Sequence, residues 1–386
     1  MKKYITSKAK YSLNALNPLD FWNSKLSVGE QMKCLIIGKF AYKDNIMDGQ
    51  TVKCRTIYDA VSNKYKKENI SYIDTYKWQK KPFKLFYNII YQFKKSDNII
   101  MMPAQKGVKV FAPILSLLNK KYNKKIYYIV IGSWLYEEIK YDKKIIDQLK
   151  SFNNIFVETN LLKKNLLKIG FTNVKILNNY KNIQILSENS FPKCKEKKII
   201  NICSFSRVNE MKGIKDAILS LKEINKDSIL VKYDIYGPIE EEFKKEFANL
   251  VSNNSTFVSY LGIIDSNKSV QFIKKYDALI FPTKYKTEGI PGTIIDSYAA
   301  GVPVIASKWE NYSDIIENNV TGLIFKFNDF IDFKEKIVYL YNHQRELYKM
   351  KKNCLNKADE YCQIKALKEL FEVLEGKNEK DTFKTV

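Results

Sequence analysis

Two α/β domains, each a doubly wound parallel sheet and facing each other across a cleft, are predicted by three features of this 386-residue sequence. Short apolar runs alternate with helical patterns of about ten residues, the signature of strand–helix–strand units. At roughly 150 residues per domain the length points to two domains, and either half can bury its own core. A polar, proline-bearing segment at 187–198 separates two stretches of very different charge. The predicted boundary falls there, giving an N-terminal domain over 1–190 and a C-terminal domain over 191–386.

In the first half, the apolar run 34–38 predicts a strand and 51–61 a helix. Strand 98–102, helix 110–118, strand 126–131, helix 143–149 and strand 155–158 follow. A helix over 161–169 ends at Gly170, a usual helix stop. The second half is more regular. Strand 199–203 leads through a polar loop into a helix carrying Ala217, Ile218 and Leu221. Residues 230–236 alternate apolar and polar before the Gly237-Pro238 turn. Helix 239–250, strand 257–261, helix 268–275 and the buried strand 277–281 come next. A helix over 292–300 and strands at 302–306 and 321–325 complete the pattern. Two such domains place a ligand in the crevice at the carboxyl ends of their strands.

Charge is the most unusual property. The chain carries 65 Lys and Arg against 42 Asp and Glu, a net +23. Residues 1–200 hold 38 basic and 15 acidic side chains, and the remainder holds 27 of each, so the whole excess lies in the first half. A biased genome loads both halves alike. The asymmetry therefore points to an anionic partner of the N-terminal half, either nucleic acid or an acidic membrane surface. Residues 76–95 (YKWQKKPFKLFYNIIYQFKK) mix six lysines with aromatics and contain no acid. Phe83, Phe86, Tyr87, Ile90 and Tyr91 fall at helical spacing. Such a stripe is either a membrane-surface element or a core-facing helix with snorkelling lysines.

No apolar run approaches the roughly 20 residues of a spanning helix, and the first thirty residues have no compact apolar core of a signal peptide. Six cysteines without metal spacing predict reduced thiols and a cytoplasmic protein. The one histidine, His343, lies on a predicted C-terminal helix, so a His general base and a zinc site are both poorly supplied. No metal is predicted.

The chemistry concentrates in 281–307 (FPTKYKTEGIPGTIIDSYAAGVPVIAS). A strand ends at Phe281-Pro282, a loop presents Glu288, and Gly289-Ile290-Pro291-Gly292 leads into a helix. Pro291 suits the first helical turn, where amides lack intrahelical partners. The amides of Gly292, Thr293 and Ile294 are predicted to face outward as an anion site. Asp296 follows one turn into the helix. Two acids there either grip the hydroxyls of an elongated polyol or complement the helix dipole, and spacing alone leaves both open. A second stretch, 203–213 (CSFSRVNEMKG), sets Arg207 and Lys212 at the carboxyl end of the first strand of the second half, where phosphate recognition is expected.

In order, these segments resemble the sugar-nucleotide half of the retaining GT-B glycosyltransferases, family 4, "glycosyl transferases group 1", of the polysaccharide-building type. The ordered motifs are the Arg/Lys loop, the Tyr-Gly-Pro turn, Tyr-Leu-Gly, and the Glu-Gly-Ile-Pro-Gly helix start. The resemblance is good over about 195–330 and loose over 30–185, where only the loop around Gly49 matches the family's glycine-rich turn. It implies two Rossmann-like domains and a nucleoside-diphosphate sugar donor, with UDP the commonest nucleotide. It implies that Arg207 and Lys212 neutralise the donor diphosphate and Glu288 contacts the sugar hydroxyls. Asp296 stands where a ribose-holding Glu is usual, and Gly49, Gly237, Gly289, Ile290, Pro291, Gly292 and Thr293 fall on donor-binding positions. A histidine that relatives carry in the N-terminal domain is replaced at Ile131-Gly132-Ser133.

The resemblance further implies transfer to a surface-glycan or polyprenyl-diphosphate-linked sugar acceptor, with neither cofactor nor metal. The enzyme would then work as a peripheral protein at the inner face of the plasma membrane. In GT-B relatives the final helix returns to the N-terminal domain, and 364–374 is the segment that would do so. Three other readings compete. A non-catalytic partner subunit would retain the fold, a sugar-nucleotide 2-epimerase would need more carboxylates and histidines, and a nucleic-acid binder lacks any recognisable signature.

Overall fold

The computed structural model describes residues 32–376 except 45, 47, 183 and 188–195. Most of the segment read as a linker thus lies outside the described residues. The first domain runs β1 (Cys34–Gly38), α1 (Gly49–Tyr65), β2 (Ile70–Asp74), α2 (Pro82–Lys95), β3 (Asn98–Met102), α3 (Gln105–Tyr122) and β4 (Lys125–Ile129). It continues through α4 (Leu135–Ile139), α5 (Lys143–Lys150), β5 (Asn154–Val157), α6 (Asn160–Lys168) and β6 (Val174–Ile176). The second holds β7 (Ile200–Phe205), α7 (Ile214–Ile224), β8 (Val231–Tyr236), α8 (Lys244–Ser252), β9 (Val258–Tyr260), α9 (Ser269–Ile273) and β10 (Ala278–Phe281). After these come α10 (Gly292–Ala299), β11 (Val304–Ser307), β12 (Gly322–Phe325), α11 (Phe330–Asn342), α12 (Gln344–Ala358) and α13 (Gln363–Leu374).

Each domain contains one six-stranded sheet, ordered β2-β1-β3-β4-β5-β6 and β12-β11-β10-β7-β8-β9. Every pairing between named strands is parallel. The two-domain α/β architecture read from the sequence is present, with β2 and β6 as strands the reading did not assign. Both are edge strands. Only Ile70 and Ile73 of β2 are buried, so it forms no apolar run, and β6 has only three residues.

Burial on both faces explains the apolar runs. Leu35 and Ile37 face one core layer of the first sheet, whereas Cys34 and Ile36 face the other. That second layer is completed by Leu367, Leu370, Phe371 and Leu374 of α13. The last helix therefore packs on the N-terminal sheet, and the chain crosses between the sheets twice.

Helix α2 differs from the pattern read in the sequence. Leu85, Ile89 and Phe93, spaced at i, i+4 and i+8, form its buried stripe, with Phe86 partly covered beside them. Phe83, Tyr87, Ile90 and Tyr91 lie on the solvent side. The helix carries two apolar stripes, and the more aliphatic one packs inward.

Candidate active site

Strand order in the second sheet reverses between β7 and β10, so the loops leaving their carboxyl ends open the ligand crevice of a doubly wound sheet. Gly213, at φ +69°, lets these loops lie against each other, since a Cβ there would stand 1.9 Å from the Pro282 carbonyl oxygen. As a result Lys212 Nζ reaches Glu288 Oε2 at 2.7 Å, with side chains 12% and 22% exposed. Thr283 Oγ1 donates to the same oxygen at 3.2 Å. The rings of Phe281 and Tyr285 lie 5.3 and 5.0 Å from the ammonium. Lys212 and Glu288 are thus held at one point with part of their solvation removed.

Arg207 is placed differently. Its side chain is 63% exposed, and its guanidinium lies 3.4 Å from Glu240. Gly237 has a structural reason to be glycine: at φ +136°, a Cβ would sit 1.8 Å from the Ser206 carbonyl oxygen. Its turn packs directly against the loop that carries Arg207.

Helix α10 starts at Gly292, with Pro291 as its N-cap and no side-chain cap. The Ile294 amide donates to the Pro291 carbonyl at 3.0 Å. The outward-facing amides expected over 292–294 therefore reduce to those of Gly292 and Thr293, because the first turn closes on the proline carbonyl. Thr293 Oγ1 is buried without a hydrogen-bond partner. The Lys181 side chain lies within 3.5 Å of where a Cβ on Gly292 would stand, and its ammonium pairs with Asp296. A second cation thus stands beside the positive end of the helix.

Asp296 is inside the protein, with its side chain 5% exposed. One carboxylate oxygen accepts from Lys181, and the other, Oδ1, has no hydrogen-bond partner. Burial holds the carboxyl above the usual carboxylate range, against the opposing pull of Lys181. The folded chain consequently keeps a proton that the unfolded chain has already released. Unfolding free energy should therefore fall as pH rises from the unfolded value to the folded one. Urea melts at intervals upward from about pH 4, the unfolded Asp value, should show this slope in the wild type and a shallower one in Asp296→Asn. Equal slopes in both proteins would assign the titration to another group.

The N-terminal domain supplies the opposite wall. Glu158, one residue past β5, accepts the Gly132 amide at 3.2 Å and lies 3.6 Å from Lys53 of α1. Both side chains are buried, 4% exposed for Lys53 and 6% for Glu158. Burial pushes the Glu158 carboxyl up and the Lys53 ammonium down, each partly countered by the other's charge. A Cβ on Gly289 would stand 3.0 Å from Glu158 Oε2, so the pair abuts the loop that presents Glu288.

Carbonyls anchor that loop from both sides. Asn179 Nδ2 donates to the Ile290 carbonyl at 2.8 Å, and Asn311 Nδ2 donates to the Glu288 carbonyl at 2.7 Å and to Ser133 Oγ at 3.1 Å. Lys53 donates to Asn179 Oδ1 at 3.2 Å, linking the buried pair to the anchor. Gly49, by contrast, opens α1, and a Cβ on it would meet nothing within 4 Å.

The structure thus brings Lys212, Glu288, Gly289, Ile290, Pro291, Gly292, Thr293 and Asp296 into one region. Arg207 and Gly49 stand outside the Lys212–Glu288 contact. Lys53, Glu158, Asn179, Lys181 and Asn311 were not singled out in the sequence. Of these only Glu158 left a signal, as a carboxylate ending an apolar strand at the edge of the sheet where ligands bind.

Residues 186–358 match the family model described as glycosyl transferases group 1. Over those residues the chain is similar to the group 1 glycosyltransferases. An uncharacterised glycosyltransferase of Methanocaldococcus jannaschii is 23% identical over 262 residues, 67% of this chain and 62% of that one. The chain therefore spans less than two thirds of that relative's length. The capsular polysaccharide biosynthesis glycosyltransferase CapM of Staphylococcus aureus is 29% identical over 140 residues, 36% of each chain. Among solved structures, Anabaena HepE in complex with UDP superposes with a TM-score of 0.68 at 14% identity, over 89% of this chain and all of that one. The two six-stranded sheets thus share the two-domain GT-B fold of that structure.

Among the described residues no helix is long and apolar enough to cross a membrane.

Proposed function

We propose that this protein transfers a sugar from a nucleoside-diphosphate donor, with UDP the first candidate, to a hydroxyl of a surface-glycan or lipid-linked oligosaccharide acceptor. The observation that carries this reading is the Lys212–Glu288 pair beside the start of α10 in a group 1 domain. Lys212, the exposed Arg207 and the Gly292 and Thr293 amides meet the negative charge of the diphosphate, whose growth as the bond breaks is where electrostatic preorganisation acts. Glu288 accepts hydrogen bonds from the sugar hydroxyls.

In this reading the bond from the anomeric carbon to the phosphate oxygen breaks, and the bond to the acceptor oxygen forms on the same face. The acceptor proton passes to the departing phosphate. The step therefore uses no histidine base, in keeping with a single histidine, His343, at the α11–α12 junction. The charge groups already named make a metal unnecessary. The capsule-related name of CapM supports a polysaccharide acceptor. The excess of basic charge in residues 1–200 supports work at an anionic cytoplasmic membrane face.

Thermal unfolding with UDP, GDP, ADP, CMP or buffer tests the donor. A nucleotide at a hundred times its dissociation constant adds about 2.7 kcal/mol to the folded state. A shift with one diphosphate, unaffected by EDTA and lost in Arg207→Ala/Lys212→Ala, is the expected result. No shift with any nucleotide would favour the non-catalytic subunit instead.

A further inference from the structure

Helix α2 faces two ways. Its inward stripe is closed by the N-terminal core, yet the opposite stripe leaves Phe83 90%, Tyr87 69%, Tyr91 46% and Ile90 39% exposed. Large apolar side chains are scattered over most protein surfaces, but four on consecutive turns of one helix form a contiguous patch. Tyr87 and Tyr91 stack at 6.5 Å between ring centroids. The Lys95 ammonium lies 4.0 Å above the Tyr91 ring, which makes an aromatic surface edged with positive charge.

The chain entering α2 adds a second feature. A cavity of about 320 Å³ opens there, lined by Tyr76, Lys77, Trp78, Lys80, Lys81 and Lys84, with Asp74, Leu85 and Asn88 completing its wall. Asp74 is its one carboxylate, and that group is already taken by the backbone amides of Phe40, Ala41 and Tyr76. Lys77 pairs with Asp44, whereas Lys80, Lys81 and Lys84 form no ion pair among the described residues. The segment 76–95 contains no acidic residue to compensate them.

We infer that this face docks on an anionic lipid bilayer. Phe83, Tyr87, Ile90 and Tyr91 enter the headgroup–acyl boundary, and the cavity at the start of α2 receives a lipid phosphate. The tyrosines favour that boundary because they are apolar in body and polar at the tip, while Phe83 and Ile90 add apolar area to bury. Lysines beside it are attracted by the negative surface potential, by a factor of about five each. Charge selects a bilayer over a second copy of this chain. Two copies meeting through α2 would bring their uncompensated lysines together, whereas an anionic leaflet neutralises them. The inference does not depend on the transferase reading, since it uses none of the residues of the Lys212–Glu288 site and is tested without turnover.

The test is co-sedimentation of the full-length protein with vesicles of phosphatidylcholine alone or mixed with phosphatidylglycerol, at low and high salt. Wild type should partition onto the mixed vesicles and leave them as salt rises. Phe83→Ser/Tyr87→Ser/Tyr91→Ser should weaken partitioning at least tenfold at low salt. Lys80→Ala/Lys81→Ala/Lys84→Ala should weaken it about a hundredfold. All seven positions, Ile90 included, are exposed, so unchanged thermal midpoints should accompany both variants.

Variants that partition like wild type would overturn the assignment, as would equal binding to neutral vesicles at every salt concentration. A concentration-dependent dimer abolished by the aromatic substitutions would give the face to a second copy. Displacement from vesicles by an oligonucleotide, with both variants defective in binding it, would give the face to nucleic acid.

Discussion

Glu288→Gln should lower kcat by about 10²–10³-fold while leaving nucleotide affinity within about threefold. The carboxylate stands at the mouth of the crevice with one oxygen already taken by Lys212 and Thr283. Its remaining acceptor capacity is what a sugar hydroxyl would use. Glutamine has the same shape but loses the charge and presents a donor on one side. The substitution therefore removes an interaction with the sugar and releases Lys212 from its ion pair. A released lysine still attracts diphosphate, so UDP binding should persist. Single-turnover rates and UDP titrations on the same preparation separate the two effects. Unchanged kcat would exclude Glu288 from the sugar contact, and an equal loss of nucleotide affinity would mean that it acts only by holding Lys212.

The parts of this fold that were legible in the sequence are those where local chemistry and tertiary structure agree. A central parallel strand is buried on both faces and so reads as an unbroken apolar run, as in β1, β3 and β10. The edge strands β2 and β6 lack that signature. The donor loop was legible because its pattern is local: a strand end, an acid, two glycines around a proline, and then a helix. Long-range partners were not. Lys53 is an unremarkable lysine in a helical sequence until Glu158, more than a hundred residues on, meets it at the domain boundary. The same holds for Lys181 and Asp296, which pair across 115 residues. In α2, an amphipathic count finds two competing stripes. It cannot choose between them, because the choice depends on which one fits the sheet.

The buried pair carries the largest expected stability effect. Lys53→Met keeps most of the side-chain volume but strands Glu158 without its counter-charge, and breaking a buried pair from one side costs about 3–5 kcal/mol. Urea unfolding at neutral pH should show that loss. The deficit should shrink as pH is lowered from neutrality, because without Lys53 the Glu158 carboxyl titrates higher still, and protonation removes the unpaired charge. Lys53→Met/Glu158→Gln should recover most of the stability, since a neutral amide can still accept the Gly132 amide and no lone charge remains. Lys53 also holds Asn179, whose amide anchors the Ile290 carbonyl, so the double variant should be stable yet show a raised donor KM. A Lys53→Met protein as stable as wild type would mean that Glu158 is already neutral in the native state. The lysine would then serve the Asn179 anchor alone. A double variant with wild-type KM would detach the pair from the donor loop and leave it a purely structural contact.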